Sequence, residues 1–221
     1  MPIRILFLTT IGCLLAGALA MALDTGPGAG ANEALKRLLD GNKNYVSNQT
    51  VKDTRQALAA GQRPYAIILS CSDSRVPPEI IFDKELGEIF VVRVAGNIPD
   101  PIVIGSIEYA AEHFGSPLIM VLGHNRCGAV TAAVEATGHE NGNIGAIIKT
   151  ISPAVELARK ETKGADKSQL VEAAVDMNIR QTAKSLVEQS PAIRSLVDSG
   201  KLKIVMAKYD LDDGTVKLLD K

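Results

Sequence analysis

The sequence predicts an α/β fold: a mostly parallel central sheet of about five strands, flanking helices, and an antiparallel C-terminal edge strand. Three observations predict it. Short apolar runs alternate with longer segments of helical periodicity, the pattern of strand–helix–strand crossovers. The first run, Tyr65-Ala-Ile-Ile-Leu-Ser-Cys71, is continuously apolar, as a strand buried on both faces requires. Near the C-terminus, Asp212-Asp213-Gly214 is a strong turn signal between two strand-like runs.

The elements follow in order. Thr25-Gly-Pro-Gly-Ala-Gly30 makes residues 21–30 a flexible lead-in. Asn32 then caps a helix in which Leu35, Leu38, Leu39 and Asn42 repeat at helical spacing. Asp53 to Ala60 reads as a second short helix, ended by Gly61. Tyr65 to Cys71 is the first strand, and Pro77-Pro78 blocks strand pairing beyond it and suits a helix start near Glu79. Ile89 to Val94 is the second strand. Pro101 to Phe114 reads as a helix, with Ile104, Ile107, Glu108 and Ala111 along one side and Gly115 past its end. Leu118 to Leu122 is the third strand and delivers Gly123-His124 at its C-terminal end. Cys127 or Gly128 opens another helix through about Ala136, and His139 to Gly145 reads as a loop. Helices fill most of Ala146 to Glu188, with a break near Gly164. Ser190-Pro191 caps a further short helix that Gly200 closes. Lys203 to Tyr209 is the fourth strand, and Thr215 to Leu219 returns as the antiparallel edge.

Composition bounds the function. A chain of 221 residues with 46% hydrophobic content supports one domain with a proper core, here residues 31–221. The formal charge of −1 and the absence of a basic run or aromatic cluster give no argument for nucleic acid or an anionic membrane. No Gly-x-Gly-x-x-Gly follows the first strand, which argues against a nucleotide-binding module. Arg4, the apolar stretch Ile5 to Leu15 and Ala18-Leu-Ala20 form the three parts of a secretory signal peptide over residues 1–20. The stretch is short of the roughly 20 apolar residues that span a bilayer. The expectation is cleavage after Ala20, a periplasmic or secreted protein, and no membrane attachment afterwards.

Cys13 leaves with the signal, so the mature chain keeps Cys71 and Cys127. In an oxidising compartment two cysteines suit one disulfide; the alternative is a metal that holds both sulfurs as thiolates. The neighbours favour the metal. Cys71-Ser-Asp73-Ser-Arg75 and Gly123-His124-Asn125-Arg126-Cys127-Gly128 supply two thiolates and an imidazole, and three protein ligands leave one tetrahedral position of Zn²⁺ open for water. Zinc lowers the pKa of bound water from about 15.7 to about 7 in favourable sites. Asp73 can accept a hydrogen bond from zinc-bound hydroxide or take the open position itself, and Arg75 is spaced to pair with it. Cys71 ends the first strand and His124 the third, so both halves meet at the carboxyl edge of a parallel sheet, where ligands gather.

Cys71-x-Asp73-x-Arg75 with His124-x-x-Cys127 resembles the β-class carbonic anhydrases, and the likeness runs from about Ala31 to the C-terminus. The resemblance implies Cys71, His124 and Cys127 as zinc ligands and Asp73 with Arg75 as a catalytic dyad. It implies reversible hydration of CO₂ to bicarbonate and a proton, in a homodimer or tetramer. Gln62, Phe90 and Tyr109 are similar to pocket positions of the plant-type branch, where the glutamine donates to substrate and the aromatics come from the neighbouring subunit. Gly128 would offer a backbone N–H near the metal. The bicarbonate-regulated branch uses a tryptophan that this chain lacks, which argues against that regulation. CS₂ and COS are linear like CO₂ and suit the same site. A zinc scaffold without catalysis is the rival of another class, and nothing structural requires Asp73, Arg75 and Gln62 together. His113 reads as a helix-end residue and His139 as a loop residue.

Overall fold

β1 (Ala66–Ser70) is buried along its whole length because its side chains feed two cores. Ile67 and Leu69 join the larger core with the helices, while Ala66 and Ile68 join a smaller one on the opposite face with Leu122 and Ala207. The structure, a computed structural model, describes residues 46, 47 and 49–220. From Thr50 onward the chain forms one unit. The expected signal segment, the lead-in and the helix after Asn32 lie outside the described residues.

The remaining strands are β2 (Ile89–Arg93), β3 (Leu118–His124), β4 (Lys203–Tyr209) and β5 (Val216–Leu218). They form one sheet in the order β2-β1-β3-β4-β5. All neighbours are parallel except β5, which runs antiparallel to β4 at the edge, as the sequence predicts. Order reverses around β1: one crossover leads out to β2, the next back across to β3. Such a switch point leaves a crevice beyond the carboxyl ends of the two strands that flank it.

The helices are α1 (Gln49–Leu58), α2 (Pro78–Ile81), α3 (Pro101–His113), α4 (Gly128–Glu135), α5 (Gly142–Glu161), α6 (Lys167–Gln189) and α7 (Pro191–Asp198), with a 3₁₀ turn at Ala95–Asn97. Asp100 caps α3 by accepting from the Ile102 and Val103 N–H groups, and Pro101 suits its first turn. Asp166 and Gln169 close a capping box on α6, and Ser190 accepts from Ile193 N–H to cap α7. Val103, Ile104, Ile107, Ala110 and Ala111 give α3 its buried stripe. Each large aliphatic side chain so buried contributes about 1.5–3 kcal/mol.

Three elements extend two residues or more beyond the sequence reading, and the other ends shift by one or two. α1 starts at Gln49, four residues before Asp53, although Thr50 and Val51 are poor helix formers. β3 continues two residues past Leu122, because Gly123 and His124 find partners in Lys208 and Tyr209 on β4. α5 starts at Gly142, inside the expected loop, where burial of Gly145 and Ile148 overrides the weak propensity of glycine. His139 does lie in the remaining loop, and His113 does end α3.

Candidate metal centre

β1 and β3 lie side by side with Ser70 level with Leu122, so Cys71, just past β1, and His124, the last residue of β3, emerge together at the switch point. The close seat of α6 on β3 explains Gly123. A Cβ there would sit 2.6 Å from Ile179 Cδ1, closer than real side chains come. The chain then turns through Arg126, at φ 53, and Cys127 stands at the N-cap of α4. Cys71, His124 and Cys127 are all buried, and their ligand atoms lie within 4.8 Å of one another.

The donor set fits Zn²⁺. Both cysteines are free, and their sulfurs stand 3.9 Å apart, too far for a disulfide. Two thiolates on a tetrahedral zinc at the usual 2.3 Å bond length stand about 3.8 Å apart. His124 Nδ1–H donates to the Asn125 carbonyl at 2.9 Å, which leaves the lone pair on Nε2. That Nε2 is buried and has no hydrogen-bond partner among the described residues. An unpartnered buried imidazole nitrogen calls for an explanation, and a metal supplies it.

The two thiols titrate as a pair. The Cys127 thiol, chiefly, draws Cys71 down to about 4 against the effect of burial, helped by the Gly96 N–H at 3.3 Å. The same hydrogen bond, together with burial, pushes Cys127 up. Zinc takes both sulfurs as thiolates, so metal binding displaces the protons they carry.

Asp73 and Arg75 stand beside this cluster. Arg75 donates from Nε to Asp73 Oδ1 at 2.9 Å and from Nη2 to Oδ2 at 2.7 Å, the bidentate pairing that the spacing suggests. Its main-chain N–H adds a third bond to Oδ1 at 3.0 Å. The Arg75 side chain, first among several causes, holds the Asp73 carboxyl well below the usual carboxylate range. Asp73 Oδ2 lies 3.9 Å from His124 Nε2, so the carboxylate faces the metal ligands.

Phe90 is not brought to this centre within the chain, and among the described residues no hydrogen bond or ring contact ties Gln62 or Tyr109 to it. Gln62 is exposed ahead of β1. Phe90 pairs with Ile67, four residues before Cys71 and so about 13 Å back along the strand. Tyr109 packs edge-on against Phe114 at 5.3 Å, and Phe114 lies 6.1 Å from Phe90. Gly128 opens α4 next to Cys127, and a Cβ there would meet open space, so packing does not dictate that glycine.

Sequence reasoning missed Arg93 and Gly96. Arg93 at the end of β2 donates from Nε to the Cys71 carbonyl at 3.0 Å and from Nη2 to the Asp73 carbonyl at 2.6 Å, clamping the loop that carries both residues. The available signal was a lone cation closing the apolar run Ile89-Phe-Val-Val.

Comparison with known proteins agrees with this chemistry. Residues 66–216 match the family model described as carbonic anhydrase. The chain is 41% identical over 196 residues to carbonic anhydrase 2 of Mycobacterium tuberculosis (strain ATCC 25618 / H37Rv), which covers 85% of this chain and 92% of the relative. Among solved structures it is similar to the β-carbonic anhydrase CcaA, with TM-score 0.78, 27% identity, and coverage of 85% of this chain and 95% of that one. It also shares the fold of tetrameric β-carbonic anhydrases from Sordaria macrospora, with TM-score 0.77, 24% identity, and coverage of 86% and 98%.

Proposed function

The chain belongs to the β-class carbonic anhydrases and holds zinc through Cys71, His124 and Cys127, and from that premise we propose how its residues carry CO₂ hydration. Bound zinc supplies the Lewis acidity that makes water a nucleophile near neutral pH. Asp73 accepts a hydrogen bond from the O–H of the attacking oxygen, which aims the remaining lone pair at the carbon of CO₂. Arg75 keeps that carboxylate ionised and engages both its oxygens, so that it does not swing onto the metal. A C–O bond forms as one C=O pair moves onto oxygen, and the N–H of Gly128 at the start of α4 stabilises the charge that develops. Bicarbonate and a proton leave. The observation that carries this reading is the bidentate Asp73–Arg75 pair, 3.9 Å from the unpartnered His124 Nε2. Stopped-flow CO₂ hydration with zinc quantified in the same sample tests it. About one zinc per chain is expected, with activity lost on chelation and restored by zinc. A zinc-replete but inactive chain overturns it in favour of a scaffold.

We further propose that the pocket is completed across a homodimer or tetramer, in the manner of the plant-type branch. Phe90 pairs with Ile67, well back along the strand from its own Cys71, and Tyr109 is half exposed beside Phe114. The Sordaria structures are tetrameric. A partner's Phe90 and Tyr109 would then line this chain's pocket, and Gln62 would donate to substrate. Residues 1–20 act as a cleaved signal peptide and 21–30 as a lead-in, which gives a periplasmic or secreted enzyme; the Arg4, apolar and Ala18-Leu-Ala20 pattern supports this.

A further inference from the structure

Asn178 sits in the interior of α6, 3% exposed, on the stripe shared with Val171, Ala174, Val175 and Ile179. A buried amide left unpaired costs about 1–3 kcal/mol. This one donates from Nδ2 to the Gly96 carbonyl at 2.8 Å. Gly96 in turn donates its N–H to Cys71 Sγ at 3.3 Å. The turn between them has little freedom. Asn97 N–H closes it onto the Val94 carbonyl at 2.9 Å. Gly96 itself has φ 73, and a Cβ there would sit 2.7 Å from Ile151 Cδ1 on α5. The 96–97 peptide is thus held at its N–H by the strand end and at its oxygen by α6.

We propose that Asn178 is a positioning residue for the metal centre: by anchoring the Gly96 carbonyl it holds the 95–97 turn whose Gly96 N–H donates to the sulfur of Cys71, a ligand Asn178 never touches. An N–H donated to a metal-bound thiolate draws charge from the sulfur and holds it in place. The sulfur then donates less to the metal, which stays a stronger Lewis acid, and the preset sulfur position slows metal loss. The proposal rests on Cys71 being a zinc ligand.

The test compares Asn178→Leu with Thr182→Val, a buried polar residue one turn further along α6 that makes no bond to Gly96. Both variants lose thermal stability. Asn178→Leu alone is expected to release zinc to a chromogenic chelator faster, on the order of 10-fold. In the Co²⁺-loaded protein it should also move the sulfur-to-metal charge-transfer band to lower energy. If Asn178→Leu does not fold, wild type loaded with ¹¹³Cd gives the answer: the Gly96 amide proton should show scalar coupling to cadmium. Release and band unchanged from Thr182→Val, or no coupling at Gly96, overturns the proposal. Wild type that fails to take up stoichiometric zinc overturns the ligand assignment instead.

Discussion

Arg75→Ala tests the catalytic reading most directly. Among the described residues the guanidinium makes two of the three hydrogen bonds that reach the Asp73 carboxylate, at 2.9 and 2.7 Å, and its loss leaves the main-chain N–H at 3.0 Å. Charge-assisted bonds of this kind are worth about 1.5–3 kcal/mol each where water is excluded. Arg75 is more than half exposed, so screening reduces that figure and little global stability is expected to be lost. The loss falls on position and charge. A carboxylate released from its clamp turns toward the cluster 3.9 Å away, and hydration should fall on the order of 10²-fold or more, as when one preorganised polar group is removed. Zinc content should not change, because Arg75 is not a ligand. The sign with pH also follows. Arg75 depresses the Asp73 pKa, so the ionised carboxylate favours the fold above the ordinary carboxylate range, and that contribution is lost as pH falls through the depressed value. In Arg75→Ala the acid limb of activity should move to higher pH. Arg75→Lys keeps the charge but not the fork, and should recover only part of the rate. Asp73→Asn and the double variant should fall about as far as Arg75→Ala, since the pair acts as a unit. The assay is stopped-flow kcat/KM with zinc quantified in each sample. Zinc retained with both single variants near the wild-type rate would show that the pair is structural.

Four further outcomes are expected. Chelation should make Cys71 and Cys127 reactive toward a thiol reagent and let them oxidise, while a Cys71–Cys127 disulfide in active protein contradicts the metal centre. Gly123→Ala places a Cβ 2.6 Å from Ile179 Cδ1, so overpacking should cost about 1–3 kcal/mol and lower Tm by about 2–4 °C per kcal/mol; calorimetry showing no change refutes the close seat of α6. Mass spectrometry of protein from its natural host should find a mature start at Met21, and a full-length or lipidated membrane species refutes export. Sedimentation with activity assayed across the boundary should find no active monomer, and full activity in a monomeric fraction removes Phe90 and Tyr109 from the site.

What was legible in the sequence was local. The ligands and the dyad fall into two short runs, 71–75 and 124–127, each following a recognisable strand, so residue type and spacing alone bring their chemistry into view. The parallel sheet was legible for the same reason, since each strand is an apolar run with its own turn signals. The boundaries that moved were decided by partners far along the chain. β3 gains Gly123 and His124 from β4, more than 80 residues later, and the start of α5 is set by burial. Pattern reading sees no such partner.

The same division separates the ligands from what holds them. Arg93 clamps the carbonyls of Cys71 and Asp73 from the end of β2, and Gly96 donates to the Cys71 sulfur from the turn beyond it. Asn178 reaches that turn from α6, 82 residues further on. None belongs to either motif, and in sequence each reads as a strand-end cation, a turn glycine or a helix asparagine. Yet a thiolate is a useful ligand only where its sulfur is held within a fraction of an ångström and its charge is partly drawn off. A substitution that keeps Cys71, Asp73, Arg75, His124 and Cys127 can therefore still unmake the centre by releasing the 95–97 turn. The sensitive positions should cluster in space around the β1–β3 switch point rather than in sequence around the motifs. Zinc retention, measured apart from turnover, should report them first.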